Sequence, residues 1–192
     1  MNKAGEENRS VRNTRRRLRA CFLQLLERKP IHEISVKELT ELADVNRGTF
    51  YFHYPDLYAL LYAIEDEFFV QFDRTLSESE PAPDSLDYPY LHAVFSFLGE
   101  NQNFCRIMLG PHGDMQFVER VKQRVDAQCS YFWGIFAPRA DPQRFGMYNA
   151  FIINGCIGLI QEWLSGASGL TVESISELTA TIILASVGPI FS

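Results

Sequence analysis

Apolar residues recur at helical spacing along nearly the whole chain, and no segment alternates apolar and polar residues as a strand would. From Asn13 to Lys29, Leu18, Phe22, Leu25 and Leu26 stand at i, i+4, i+7 and i+8, the stripe of an amphipathic helix. Pro30 stops it. The same spacing predicts a long helix from Leu57 to about Leu76, with Leu60, Leu61, Ile64 and Phe68 inward. It predicts shorter helices over Pro89–Glu100 and Asn103–Leu109, and long ones over Met115–Phe136, Gln143–Leu164 and Ser174–Ile190. Phe117, Val121, Val125 and Phe132 form the inner face of Met115–Phe136. Ser77–Tyr88, rich in Ser, Pro and acid, reads as a loop, as do Gly110–Asp114 and "APRADP" at 137–142. His112 is a loop residue. No internal repeat is present. The fold class is all-α.

Between Pro30 and Asp56 the punctuation is dense. Ser35 and Glu38 form a Ser-x-x-Glu capping box, which starts a short helix with Leu39, Leu42 and Ala43 as its inner face. Asn46 is a good N-cap for a second short helix from Arg47 to Tyr54. Pro55 ends that helix, and Asp56 can cap the long one after it. Two short helices joined by a tight turn and flanked by longer helices are the parts of a helix-turn-helix, whose second helix enters the DNA major groove. At about 100° per residue, Phe50 and Tyr54 fall together as the anchor into the domain. Gly48, Thr49, Phe52 and His53 lie away from it, and Tyr51 borders both sides. Arg47 can pair with guanine, and a phenyl ring such as Phe52 can rest on a thymine methyl. The tyrosine hydroxyl and the His53 imidazole can donate to phosphate. Gly48 lets the backbone approach closely.

The charge pattern agrees with such a head. The net charge is −6, but residues 1–54 carry 11 Lys+Arg against 7 Asp+Glu, and residues 55–192 carry 7 against 17. A basic head on an acidic body points to the head as the part that meets a polyanion. Arg12, Arg15, Arg16 and Arg19 lie on the first helix, off its apolar stripe, where some of them can track phosphates. The four cysteines, Cys21, Cys105, Cys129 and Cys156, show neither Cys-x-x-Cys nor Cys/His ligand spacing, so no metal site or disulfide framework is implied, and they read as buried free thiols. No cofactor is expected. No signal-peptide pattern is visible, and the longest apolar runs fall short of a membrane span. The expectation is a cytoplasmic protein with no membrane partner. An enzyme is not expected: Gly-x-Ser-x-Gly, a phosphate-binding Gly loop and a His-based metal set are absent, and Glu65, Asp66 and Glu67 fan around their helix.

"ISVKELTELADVNRGTFYFHYPDLYALL", Ile34 to Leu61, resembles the DNA-binding signature of the TetR family of bacterial transcription regulators, with "V-x-R-G-T-F-Y-x-H-Y" from Val45 at its centre. The resemblance covers the first ~75 residues, a far more specific match than a lone motif, and the remainder agrees in pattern only. "YAIEDEFF" and "GLIQEWL" further resemble a branch that includes the dihydroxyacetone-operon regulator DhaS. The resemblance implies about nine helices, with a helix-turn-helix domain at 1–56, residues 1–9 being a disordered tail. It implies a helical dimerisation and effector domain at 57–192. By position it assigns base reading to Arg47, Gly48 and Thr49, backbone contacts to Tyr51 and His53, a DNA-touching position to Phe52, and phosphate contacts to Ser35 and Lys37. Arg15 and Arg16 join these as candidates from the first helix. Many members carry a phosphate-contacting Lys where this chain has Leu57.

The last two helices are apolar on more than one face and carry small residues, which suits burial both within a subunit and against a twin. Phe151, Gly155, Gly158, Leu159, Trp163, Leu178, Ile182 and Ala185 are the candidate dimer residues. Phe69, Phe97, Phe104, Met108, Tyr131, Trp133 and Cys156 can line an effector pocket. The expectation is a homodimeric repressor that binds a palindromic operator and responds to a small molecule. The alternative is a ligand-binding interaction protein of the same fold that acts through a protein partner.

Overall fold

Leu18, Phe22, Leu25 and Leu26 are all buried, and the helix they organise, α1, runs Lys3–Leu26. The structure is a computed structural model and describes residues 3–79, 88–136 and 141–191. The helix starts ten residues before the expected Asn13, where a disordered tail was anticipated. The apolar stripe fades ahead of Leu18, but no proline and only one glycine (Gly5) interrupt residues 3–13, so helix propensity carries the backbone on. Past Leu26, the Lys29 N–H still bonds to the Leu25 carbonyl before Pro30 ends the ladder. A single 3-10 turn over Ile31–Glu33 follows, which the periodicity did not predict.

α2 spans Val36–Leu42, and the Ser35 hydroxyl accepts the Glu38 N–H at 3.1 Å. Its inner face is Leu39, Thr40 and Ala43. Thr40 can be buried because its hydroxyl donates to the Val36 and Lys37 carbonyls. Leu42, expected inward, is about half exposed, since it stands roughly 100° around the helix from that face. Asp44 takes the turn with φ at 48°, and the Val45 N–H returns to the Thr40 carbonyl. α3 spans Arg47–His53, with the Asn46 Oδ1 accepting the Gly48 N–H at 2.8 Å. Tyr54 is extended and Pro55 prevents continuation. α4 spans Leu57–Glu78, started by the Asp56 Oδ1, which accepts the Ala59 N–H at 2.8 Å. Leu60, Leu61, Ile64 and Phe68 are buried as expected.

Five further helices follow: α5 Tyr88–Glu100, α6 Gln102–Met108, α7 Met115–Phe136, α8 Pro142–Leu164 and α9 Val172–Phe191. All nine helices, and no strand, occur among the described residues. α8 begins on Asp141, whose Oδ1 accepts the Gln143 N–H, with Pro142 in the first turn, where a missing N–H costs nothing. The chain divides into two compact units, one holding the residues up to Phe69 with Gly110–Gly113, the other the remainder. This division falls within α4. The first turns of α4 bury Leu57, Leu60, Leu61 and Ile64, and Glu67 takes the Arg19 guanidinium of α1 at 2.5 Å.

In the second unit α5 packs mainly on α9, and α7 and α9 each pack on α8. Ring pairs build the core: Phe72 with Phe97 at 5.7 Å, and Phe104 edge-on to Phe117 at 5.4 Å. Phe117 is buried, whereas Val121 and Val125 are half-buried. Phe132 has a side chain outside the described set. Tyr148 on α8 bonds to α9 through the Ile183 carbonyl and Ser186.

Candidate nucleic-acid interface

α3 is held from one side only. Phe50 is 0% exposed, Tyr54 half-buried at 6.0 Å from it, and Tyr51 meets the Phe50 ring edge-on at 5.4 Å. The anchor role of Phe50 and Tyr54 is thus fulfilled within the unit. The opposite side presents Arg47, Gly48, Tyr51 at 56% exposure and Phe52 at 81%. Thr49 and His53 are half-buried at the border. A Cβ built on Gly48 would meet only the Asn46 Oδ1, at 3.4 Å. Nothing in the unit demands a glycine there, and its bare backbone opens outward.

Basic groups around this helix divide into two kinds. Arg17 donates from Nη2 to both the carbonyl and the Oδ2 of Asp44, each at 2.9 Å. Arg19 pairs with Glu67, and Lys29 with Glu38 at 2.7 Å. These three are occupied in tying α1 and its end to the turn, to α4 and to α2. Arg15, Arg16 and Arg47 are exposed; Arg16 donates to the Asn13 Oδ1 of its own helix. Arg15 on α1 lies beside the end of α3, for its charge acts on His53 and Tyr54. Burial, and secondarily the Arg15 guanidinium, hold the His53 imidazole below its ordinary pKa.

At the start of α2, Ser35 is exposed and serves as the cap, leaving its O–H hydrogen to donate outward. Lys37 is exposed and 3.8 Å from Glu41 one turn on. The Glu38 carboxylate is held below its usual range chiefly by its bond from Lys29, with help from the Ser35 backbone N–H. Leu57, where a family lysine was looked for, is 7% exposed. That position faces the core, and Asp56 beside it is engaged as the cap of α4.

In the second unit, Phe151 is 70% exposed, and Gly155, Gly158, Leu178, Ile182 and Ala185 are exposed as well. Met147, at 77% exposure on the same side of α8 as Phe151, extends that apolar face and was missed; it was legible as an apolar residue on a helix already rich in them. Leu159 is half-buried. Trp163 is half-buried. Its indole N–H donates to the Leu170 carbonyl at 2.9 Å, and its ring stands edge-on to Phe95 at 5.5 Å. It packs over Gly99 of α5, where a Cβ would sit 3.4 Å from it.

Of the expected pocket residues, Phe69, Phe97, Phe104 and Met108 are buried and Cys156 is half-buried. Tyr131 and Trp133 lie on α7 with side chains outside the described set, as does that of Cys129. Phe69 belongs to the first unit and the others to the second. An open cavity of about 630 Å³ in the second unit is lined by other residues, among them His92, Ser96, Glu100, Trp163, Leu170 and Glu173. Burial pushes the Cys105 thiol up to about 12 and that of Cys156 to about 11, so neither is a ready nucleophile. Cys21 and Cys156 are half-buried, and Cys105 is fully buried. Among the described residues no group of His, Cys, Asp or Glu could hold a metal ion, and no helix is long and apolar enough to cross a membrane.

Comparison with known proteins agrees with this architecture. The profile of a transcriptional regulator C-terminal region in the TetR family matches residues 88–185. An HTH-type transcriptional regulator of Bacillus subtilis strain 168, YxbF, itself uncharacterized, is 23% identical over 164 residues. That alignment covers 83% of this chain and only 42% of YxbF, so the chain spans less than half the length of that relative. A TetR transcriptional regulator from Streptococcus agalactiae superposes with a TM-score of 0.66 at 21% identity, covering 94% of this chain and 99% of that one. The dihydroxyacetone kinase operon activator DhaS superposes with a TM-score of 0.57 at 17% identity, covering 93% and 98%. With a family profile over half its length and the same all-helical fold, the chain belongs to the TetR family of transcriptional regulators.

Proposed function

We propose that the protein is a homodimeric repressor that binds a palindromic DNA operator through α3 and is modulated by a small molecule. One observation carries the reading: α3 is anchored on Phe50 alone of its residues and turns Arg47, Gly48, Tyr51 and Phe52 outward, with the exposed Arg15 alongside. An α-helix fits the major groove, where Arg47 meets guanine and Tyr51 and His53 meet phosphate. Ser35, Lys37, Arg15 and Arg16 supply the remaining backbone contacts, and Thr49 borders the base-reading turn. Two such heads, brought together by the outer faces of α8 and α9, read half-sites about one DNA turn (~34 Å) apart. Effector binding in the helical body shifts the population of two arrangements of the dimer through α4, one uninterrupted helix from Leu57 to Glu78. The protein works in the cytoplasm, without catalysis.

The test is retention of random duplexes by the purified full chain at low salt, followed by sequencing. Enrichment of a two-fold symmetric sequence is expected, with Arg47→Ala relaxing the preference at one position per half-site and Arg16→Ala weakening all sequences and lowering the salt dependence. Absence of any retained sequence would sink the reading. It would favour the second one, a ligand-binding interaction protein, which the buried Leu57 supports because α4 begins without a cation for phosphate.

A further inference from the structure

Phe52 carries its ring at 81% exposure on the side of α3 away from Phe50. Single exposed apolar residues are common, but this one sits among groups of a different kind. Arg47 and Tyr51 are exposed further around α3, and Gly48 precedes it by one turn on the same side of the helix. Leaving aside its two chain neighbours and the backbone of α3 itself, only the Asn46 Oδ1 among the described residues lies within 4 Å of where a Gly48 Cβ would be. The surface between the ring and the start of the helix is therefore not covered by any more distant part of the unit. The ring itself meets the His53 imidazole edge-on, with centroids 5.1 Å apart and planes at 75°, which limits how it can turn. In the major groove, guanine, cytosine and adenine present donors and acceptors that a phenyl ring cannot satisfy. The one apolar group on any base edge there is the thymine C5-methyl.

We propose that Phe52 selects a thymine in each half-site by packing its ring on the C5-methyl group, on the uncovered surface beside Gly48. This rests on α3 being the recognition helix. The contact supplies no hydrogen bond, so it discriminates by the methyl group alone, and it works beside the charge-driven phosphate contacts that carry no sequence information.

Deoxyuridine in place of thymine removes that methyl and leaves base pairing intact. With the full chain and a duplex selected by it, each thymine is replaced in turn and binding is measured for the wild type and for Phe52→Ala. At one thymine per half-site, the wild type should lose about fourfold in affinity, the weight of one buried methyl group, and Phe52→Ala should bind thymine and deoxyuridine equally. Phe52 is exposed, so the variant should fold, and its thermal melting checks this. The proposal is overturned if the wild type is indifferent at every thymine, or if Phe52→Ala keeps the full loss. In either case an Arg47→Ala variant that still changes sequence preference leaves the recognition-helix reading standing. If no duplex is selected at all, both fall together.

Discussion

Asp44 holds the turn between α2 and α3 in the left-handed region, φ 48°, a conformation that costs a residue with a Cβ on the order of 1 kcal/mol. Against that cost, its carboxylate and carbonyl take the Arg17 guanidinium. The carboxylate is almost fully exposed, and exposed ion pairs contribute ~0–1 kcal/mol. The two terms are of similar size. Asp44→Gly should therefore leave stability within about 0.5 kcal/mol of the wild type, whereas Asp44→Val, which adds β-branching at positive φ, should cost about 1–2 kcal/mol. Urea unfolding of both variants checks this, and a large loss in the glycine variant would mean that the ion pair outweighs the strain. His53 makes a second prediction. Its folded pKa lies below the unfolded value of about 6.5, through burial first and Arg15 second. The unfolded chain then binds the proton more readily, so this contribution to stability is present above that pH and is lost as pH falls through the His range. His53→Gln should flatten the slope of stability between about pH 7 and 5, measured by melting at each pH.

Helix starts are where single side chains decide an element, and six of them here are set by a residue immediately before the helix: Ser35, Asn46, Asp56, Asp114, Asp141 and Thr171. Asn46→Ala should destabilise the unit by about 1 kcal/mol, with Asn46→Asp restoring most of it. Such caps are local, and this is why the starts of α2, α3 and α4 were legible in sequence. The ends ruled by other forces were not. The early start of α1 follows from propensity without periodicity. The commitment of Arg17 and Arg19 depends on partners 27 and 48 positions away, and the place of Trp163 on the Leu170 carbonyl and Phe95. The site divided in the same manner: Phe50 inward and Phe52 outward follow from the helical period, whereas the position of Arg15 beside His53 needed the fold. Leu57 sharpens the contrast. A lysine there would have to leave a buried position, so Leu57→Lys should cost about 1–3 kcal/mol without tightening DNA binding. A variant that folded normally and bound DNA more tightly at low salt would show that the position reaches phosphate after all.

At the scale of the whole molecule, the outer faces of α8 and α9 are the feature a lone subunit leaves unexplained. Met147, Phe151, Gly155 and Gly158 line one side of α8, and Leu178, Ile182 and Ala185 one side of α9. An apolar patch of this kind, with no charged residue among those named, suits a twin more than water. Gly155 and Gly158 separate the two explanations for small residues. A Cβ at either would meet nothing within 4 Å among the described residues beyond its chain neighbours and its own helix backbone, so no described side chain of the subunit's core packs against it. Mid-helix glycine also weakens a helix by about 0.8–1 kcal/mol relative to alanine. If the glycines serve close approach of a second subunit, alanine should strengthen the isolated fold and larger side chains should weaken the dimer. Gly155→Leu with Gly158→Leu should thus give a well-folded chain that sediments as a monomer at concentrations where the wild type is a dimer, and Phe151→Asp should act the same way. Loss of the dimer should in turn remove most operator affinity, because a single head reads only one half-site. A double-leucine variant that stays dimeric and binds the palindrome unchanged would place the dimer contact on another face.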